Sequence, residues 1–171
     1  MIDRLDPPVA EDDVADLATL LCGLVESGHN IGFLRGLTVE AAATWWRGLI
    51  DDPEVMTWVA REDDGQVLGT CSLRLAPQAN ARHRAEVTKL LVRESARRRG
   101  VAASLMAAVE EEAVRLGRSV LILDTEVGSE AELFYESQGW IEYGLMPDHS
   151  ADPDGVLRAT RFYWKPVRPA I

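Results

Sequence analysis

The stretch 84-RAEVTKLLVRESARRRGVAASLM-106 decides the fold predicted for this chain. Its first nine residues are rich in apolar and β-branched side chains, which predicts a strand. From Val101 to Leu116 the apolar side chains recur at three- and four-residue spacing, which predicts an amphipathic helix. A strand that leads through a short connector ending in glycine into a long helix is typical of a mixed α/β domain.

The junction between this strand and this helix has the chemistry of an anion site. The first turn of a helix has unpaired backbone N–H groups and the positive end of the helix dipole. Gly100 allows close approach of the backbone to a ligand, and Arg97, Arg98 and Arg99 add positive charge. Neither G-x-x-x-x-G-K-[ST] nor G-x-G-x-x-G is present, so the pattern is not that of a Walker loop or a dinucleotide site. A pyrophosphate cradle and a solvated arginine-rich turn both stay open at this point.

The rest of the chain repeats these patterns and predicts the order β-α-α-β-β-β-α-β-α-β-β, in one domain over residues 1–171. Helices are predicted at 11–27, 38–50, 101–116 and 129–138, with Thr38 and Ser129 as candidate N-caps. Strands are predicted at 2–6 and in MTWVARE, VLGTCSLRLA, AEVTKLLV, SVLILDT, WIEYGLM and LRATRFYWKPV. The segment MPDHSADPDG is predicted to be a polar loop.

Composition and charge narrow the class of partner. The chain is 47% hydrophobic and 27% charged, as expected for a globular protein, and 18 basic against 28 acidic residues give a net charge of −10. This charge disfavours nucleic acid and anionic membranes and is compatible with a cationic substrate such as an amine. The acidic N-terminus and the lack of an apolar run of ~20 residues predict a cytoplasmic protein without a membrane span. Cys22 and Cys71 are expected to be buried free thiols.

Two motifs carry a resemblance to a known family. Arg97-x-x-Gly100-x-Ala102 resembles the acyl-CoA loop, Q/R-x-x-G-x-G/A, of the GNAT acyltransferase superfamily. Ala131-x-x-Phe134-Tyr135-Glu136-x-x-Gly139-Trp140 is similar to the family's A-x-x-L-Y-x-x-x-G-F. The chain also resembles the bacterial tabtoxin-resistance acetyltransferases in five segments: RAEVTKLLV, LDTEVGS, FYE, PDG and residues 28–33. The resemblance implies the GNAT α+β fold, a mixed central sheet of six or seven strands flanked by about four helices, with acetyl-CoA as cofactor.

The resemblance also implies which residues hold the cofactor. In the family the fourth strand separates from the fifth and the pantetheine arm lies in the gap. Leu90, Leu91 and Val92 would line the thioester and the pantetheine, and Arg97, Arg98, Arg99, Gly100, Val101 and Ala102 would hold the pyrophosphate. Ser104, Ser129 and Phe134 are further candidates for cofactor contacts, and Gly128 stands where many members have a cofactor-contacting asparagine.

Acylation of an amine needs a base and benefits from an acid. An alkyl ammonium with a pKa near ~10 must lose a proton before it attacks, and the departing thiolate gains from protonation. On residue type alone, Glu86 would be an ordinary solvated carboxylate and Tyr135 a core residue with its hydroxyl at the rim. The resemblance implies Glu86 and Asp124 as a water-assisted base and Tyr135 as the acid toward the CoA sulfur.

The acceptor site is expected in loops 28–36 and 147–156, where the family builds it. His29, Phe33, Glu86 and Asp124 are the substrate-binding candidates. His29, His83 and His149 lack metal-ligand spacing, so no metal is expected.

Three functions stay open from the sequence. The first is acetylation of a small primary amine, which is amino-acid-like or an antibiotic or toxin. The second is acetylation of a protein lysine or N-terminus, and the third is a non-catalytic acyl-CoA sensor. Glu86, Asp124 and Tyr135 are all present, which favours catalysis over sensing. A homodimer through the C-terminal strand LRATRFYWK is compatible with the family.

Overall fold

The computed structural model describes residues 1–168. Its helices are α1 (Glu11–Glu26), α2 (Val39–Ile50), α3 (Val101–Arg115) and α4 (Glu130–Ser137). Its strands are β1 (Ile2–Leu5), β2 (Val55–Arg61), β3 (Val67–Leu75), β4 (Arg84–Val92), β5 (Val120–Glu126), β6 (Ile141–Ala151) and β7 (Leu157–Pro166). The predicted element order is confirmed. Thr38 caps α2, because its hydroxyl accepts from the amide of Ala41 at 3.2 Å.

The seven strands form one sheet in the order β1-β2-β3-β4-β5-β7-β6, in which β4 and β5 are parallel and the other neighbours antiparallel. Helices α1 and α2 pack on one face of the sheet, against Val59. Helices α3 and α4 pack against Trp58 on the opposite face. Successive strand residues point to opposite faces, so the two clusters cover the two sides of the sheet. The indole of Trp46 donates to the carbonyl of Leu17 at 3.0 Å and joins α2 to α1.

The fourth and fifth strands separate near the middle of the sheet. Their parallel pairing covers Arg84–Glu86 against Val120–Ile122, although β4 continues to Val92 and β5 to Glu126. In the described part of the chain, the edge of β4 beyond Glu86 therefore faces β5 without a strand partner. The backbone groups along this edge are free to pair with a ligand.

A bulge interrupts β4 on its other edge. Thr70 pairs with Leu91 and Ser72 with Thr88, so β4 has one residue more than β3 in this interval. Lys89 occupies the bulge with a φ of 53°, in the left-handed region. Because a bulge reverses the alternation of side chains, Leu91 joins the core under α1 and α2.

Two local predictions differ from the structure. The segment predicted as the loop MPDHSADPDG is strand through Ala151, since β6 resumes its pairing with β7 at Ser150 after a bulge. Polar side chains on an exposed edge strand are solvated there as in a loop, so composition did not separate the two. Ser129 is at the N-cap position of α4 but makes no cap hydrogen bond, and its hydroxyl lies 3.1 Å from that of Thr125 instead.

Within residues 1–168, the helices are too short or too polar for any of them to cross a membrane.

Candidate active site

The loop before α3 presents unpaired backbone amides. Gly100 adopts a φ of 81° and places the chain at the start of the helix. The amide of Ser104 donates to the carbonyl of Gly100 at 3.0 Å, which is the first bond of the helical ladder. The amides of residues 101–103 precede this bond and point out of the helix end, where the dipole is positive. The predicted anion cradle therefore has the backbone geometry that such a site requires.

The arginines of this loop point to different neighbours. The Arg97 guanidinium donates to Nε2 of His29 at 2.7 Å and lies 3.4 Å from the Glu130 carboxylate at the start of α4. The Arg99 guanidinium makes two hydrogen bonds to Glu62 in the β2–β3 turn, at 2.9 and 3.0 Å. Ser104 borders the same shallow cavity as Arg99 and Glu62. Arg97 is thus placed near α4 and near the loop between α1 and α2 (residues 28–37), here called the acceptor loop, which contains the predicted segment 28–36. Arg99 and Ser104 face the β2–β3 hairpin.

The two predicted carboxylates lie on one face of the sheet where β4 and β5 separate. Glu86 pairs with Ile122, and Asp124 follows two residues later on the same face of β5. Burial raises the pKa of the half-buried Glu86, and the charge of Asp124 raises it further. The positive charges of Arg74, Arg84 and Lys89 oppose this increase. A carboxylate with a raised pKa is a better proton acceptor than an exposed one once it is ionised.

Tyr135 lies on the other face of the sheet, in the cluster beneath α4. Its side chain is 7% exposed, and its ring packs against those of Phe134, Trp140 and Tyr163. Burial is the main cause that raises the pKa of this phenol, and the charge of Asp124 raises it further. The hydroxyl therefore stays protonated near neutral pH and can donate a hydrogen bond. Cys71 is fully buried, and burial raises the pKa of its thiol, as expected for a structural cysteine.

The acceptor loop is fastened to the turn after β6. The Arg35 guanidinium donates to both carboxylate oxygens of Asp154, at 2.7 and 3.1 Å, and the Arg35 amide donates to the carbonyl of Pro153. The Asn30 amide group donates to the hydroxyl of Ser150 at 2.9 Å. The two segments predicted to build the acceptor site therefore meet in space.

The two loop histidines have different surroundings. Nδ1 of His29 lies 3.2 Å from the Leu24 carbonyl, which only accepts, and Nε2 faces Arg97, which only donates. This arrangement requires the tautomer that carries its proton on Nδ1. His149 contacts the hydroxyl of Thr160 at 3.1 Å and packs edge-on against Phe162. None of these hydrogen bonds joins a histidine to Glu86 or Asp124.

Lys89 is a site residue that the sequence reasoning missed. Its ammonium donates to the carbonyl of Ile31 at 2.8 Å and lies 5.6 and 5.3 Å from the ring centroids of Phe33 and Trp45. The signal was a lysine inside an apolar strand. Strict alternation of side chains would put Lys89 beside Val87 in the core under α3, where the burial of an unpaired ammonium is energetically costly. A bulge at this position resolves the conflict.

The other predicted cofactor residues contribute through packing or through their backbone. The Leu91 side chain is buried in the core, so its contribution to the gap is its backbone. Phe134 is partly buried against the core beneath α4. Gly128 has a φ of 82°, which glycine adopts without strain, and its backbone amide donates to Glu132. Among residues 1–168 there is no group of three or more His, Cys, Asp or Glu side chains that could hold a metal ion.

Residues 29–140 match the model of the Acetyltransferase (GNAT) family, which is more than half of the chain. The chain belongs to the GNAT family. An uncharacterized N-acetyltransferase in the hisH-hisA intergenic region of Azospirillum brasilense is 32% identical over 125 residues, which cover 72% of this chain and 73% of that protein. As a GNAT protein, the chain is an acetyl-CoA-dependent N-acetyltransferase.

Two solved structures share the fold over nearly the whole chain. The ribosomal-protein-alanine N-acetyltransferase from Brucella melitensis superposes with a TM-score of 0.78 at 25% identity, covering 98% of this chain and 99% of that one. A protein from Salmonella typhimurium, solved with its cofactor acetyl-CoA, has a TM-score of 0.74 at 17% identity, covering 99% and 95%. Both likenesses agree with the seven-stranded mixed sheet and four helices of the GNAT fold.

The residues present fit acetyl-CoA. Gly100 and the free amides of the first turn of α3 suit a pyrophosphate, and the unpaired edge of β4 suits the amides of pantetheine. A side chain at Gly100 would be strained by its positive φ, so the loop depends on glycine there.

Proposed function

We propose that this GNAT enzyme transfers an acetyl group from acetyl-CoA to a primary amine of a small molecule, either amino-acid-like or an antibiotic or toxin. The observation that carries the proposal is the placement of Glu86 and Asp124 on one face of the sheet where β4 and β5 separate. The raised pKa of Glu86 supports its role, because the base must hold the proton that an ammonium gives up.

In the proposed reaction, three side chains of the protein transfer protons: Glu86 and Asp124 as the base and Tyr135 as the acid. Glu86 and Asp124 accept the proton of the ammonium through a water molecule, which leaves a neutral amine. The amine nitrogen forms a bond to the acetyl carbon as the carbon–sulfur bond breaks. The Tyr135 hydroxyl gives its proton to the sulfur, and the extra proton on the new amide nitrogen returns through water to the Tyr135 oxygen, so the products are the acetamide and the free thiol. Acetyl-CoA supplies the activated acetyl group when it is bound. Leu90, Leu91 and Val92 would hold the pantetheine, and Arg97 to Ala102 the pyrophosphate.

The proposal also assigns further cofactor and acceptor contacts. Phe134 and Ser129, beside the start of α4, would contact the cofactor near Arg97. His29 and Phe33 would line the acceptor side, since Phe33 packs on Trp45 and His29 bonds to Arg97. Arg98 would offer charge to the phosphates and Ser104 its hydroxyl, while Arg99 would first have to leave Glu62.

A protein acceptor is the second candidate. The Brucella melitensis structure is named for acetylation of a ribosomal-protein alanine, and it is 25% identical to this chain. The contact of Arg35 with Asp154 and Pro153 ties the two loops on the acceptor side together, and a site bounded by joined loops would suit a small molecule better than an extended peptide. The sensor alternative lacks a reason to keep two carboxylates beside the gap.

The proposal also covers the biological role, the cellular location and the oligomeric state. The nearest functional analogy is the tabtoxin-resistance subgroup, with a role in toxin or antibiotic resistance in a bacterium. The enzyme would act in the cytoplasm. The chain would work as one catalytic domain that pairs with a second copy. The sequence suggested LRATRFYWK as the contact, but this strand, β7, is paired on both edges, and exposed apolar side chains are concentrated on β6, so β6 is the proposed contact.

The test is a panel of acceptors assayed with acetyl-CoA while thiol release and acetylated product are followed. The panel contains amino acids, amino-acid-like amines, aminoglycosides, and peptides that begin with alanine. Turnover of a small amine with a kcat/KM at least tenfold above that of the peptides is the expected result. Turnover of the peptides alone would replace the proposal with the protein acceptor, and acetyl-CoA binding without turnover of any amine would favour the sensor.

A further inference from the structure

Lys89 connects three parts of the site that are distant in sequence. Its backbone forms the β4 bulge, and its ammonium donates to the carbonyl of Ile31 in the acceptor loop. The same ammonium lies over the rings of Phe33 and Trp45, which meet edge-to-face at 5.0 Å. Gly32 leaves room for it, because a Cβ there would lie 3.3 Å from Nζ. The lysine is thus surrounded by a carbonyl, a ring and a glycine of the loop and by the ring of Trp45 in α2.

The charge of this lysine also acts on the carboxylates. Burial lowers the pKa of Lys89, while the charges of Asp124 and Glu86 raise it. By the same interaction Lys89 lowers the pKa of Glu86, against burial and Asp124. The other charged groups that act on Glu86 are Arg74, which pairs with Asp52 at 2.9 Å, and Arg84. The contacts of Lys89 with Ile31, Phe33 and Trp45 place its ammonium on the α1 and α2 side of the sheet, which is also the side that carries Glu86 and Asp124.

We propose that Lys89 is a positioning residue for acetyl transfer: its ammonium fastens the acceptor loop, residues 28–37, to the β4 bulge and balances the paired negative charge of Glu86 and Asp124. The fastening sets the wall of the acceptor pocket, since Phe33 and Trp45 are held by the same contact. The balance keeps the base ionised at a lower pH than the two carboxylates alone would allow. The kinetic part of this inference rests on the proposed function of Glu86 and Asp124.

The experiment compares Lys89→Met with Lys89→Arg in the full chain. Methionine keeps the length and apolar stem of lysine but loses the charge and the hydrogen bond. In Lys89→Met, amide hydrogen exchange in residues 28–37 is expected to accelerate by roughly tenfold, because a charged hydrogen bond is lost. The KM for the acceptor is expected to rise, while the Kd for acetyl-CoA stays within about twofold of the wild type. The acidic limb of kcat/KM moves to higher pH, and in Lys89→Arg it stays in place because the charge is retained.

Lys165→Met is the matched control, since Lys165 is the only other lysine in the sequence. Its ammonium donates to Glu110 at 2.7 and 2.9 Å and lies 6.0 Å from the ring of Trp140. The control therefore loses the same kinds of interaction on the α3 side of the molecule. It is expected to leave the exchange of residues 28–37 and the acidic limb unchanged.

Each part of the proposal has its own opposing result. Unchanged exchange in residues 28–37 of Lys89→Met overturns the fastening role, and an unmoved acidic limb overturns the charge role. If the methionine variant fails to fold, Lys89→Gln takes its place with the same two readouts. If the wild type acetylates no amine, the proposed function fails, whereas hydrogen exchange still decides whether Lys89 holds the loop.

Discussion

Glu86 is the residue on which the base assignment depends most. Its pKa is raised by burial and by Asp124, and a base acts only in its ionised form. Activity is therefore lost as the pH falls through this raised pKa, and the acidic limb of kcat/KM lies above the usual range of a glutamate. Glu86→Gln is expected to lower kcat/KM by about 100-fold and to remove the limb. Measurement of kcat/KM across pH checks both effects.

The control for this substitution is Glu111→Gln, on the exposed side of α3. It makes the same chemical change away from the site and should leave the pH profile as it is. Calorimetric titration should give both variants the acetyl-CoA affinity of the wild type. A full-rate Glu86→Gln enzyme would transfer the base assignment to Asp124 alone.

Tyr135 differs from Glu86 because its acid role and its packing role predict different results. Tyr135→Phe keeps the ring among Phe134, Trp140 and Tyr163 and removes the hydroxyl. If the hydroxyl protonates the leaving sulfur, kcat at saturating amine falls by roughly 100-fold while thermal stability changes little. A steady-state assay at saturating acetyl-CoA and amine measures this. An unchanged kcat would reduce Tyr135 to a packing residue.

The sequence predicted Glu86, Asp124 and Tyr135 as site residues but did not predict Lys89. Glu86, Asp124 and Tyr135 could be named because each stands at a fixed position in a motif-bearing segment. Lys89 makes its contacts with Ile31, Phe33 and Trp45, which lie more than 40 residues earlier. A pattern read along one strand contains no information about partners brought in by a distant loop.

At the level of elements, helix α3 has a glycine at each end, and the two glycines can be compared by the same substitution. Gly100 at the N-terminal end has a φ of 81° and Gly117 at the C-terminal end a φ of 71°, and a Cβ would meet no atom within 4 Å at either position. Alanine at either site should cost about 1–2 kcal/mol of the free energy of unfolding, because both adopt the left-handed conformation. Only Gly100→Ala is expected to weaken acetyl-CoA binding as well, since its strain distorts the amides of the cradle.

Thermal unfolding and calorimetric titration of both variants decide this. Equal loss of stability with a rise in Kd confined to Gly100→Ala supports the cradle. Equal Kd values for the two variants would show that the loop does not hold the pyrophosphate through its backbone.

At the level of the whole molecule, β6 forms an edge of the sheet and exposes apolar side chains. Leu145 is 49% exposed, and Tyr143 and Met146 are exposed as well. A symmetric pair would bury this surface against itself. We expect a dimer in sedimentation velocity and a monomer for Leu145→Glu. Val39→Glu, at the exposed start of α2, is the control and should stay dimeric. A wild-type monomer at micromolar concentration would rule out the pairing.

The element order followed from the short-range periodicity of the sequence, and the acetyl-CoA cofactor from two motifs that resemble those of the GNAT family. Helix-end chemistry also predicted an anion cradle before α3, with a solvated arginine-rich turn as the alternative. Tertiary structure decided the rest. It set the point beyond Glu86 at which β4 and β5 separate, directed Arg97 and Arg99 to different neighbours, extended β6 through Ala151, and enclosed Lys89 between the acceptor loop and α2. These features arise from contacts between residues far apart in the chain, where burial and charge at one place depend on which distant segment covers it.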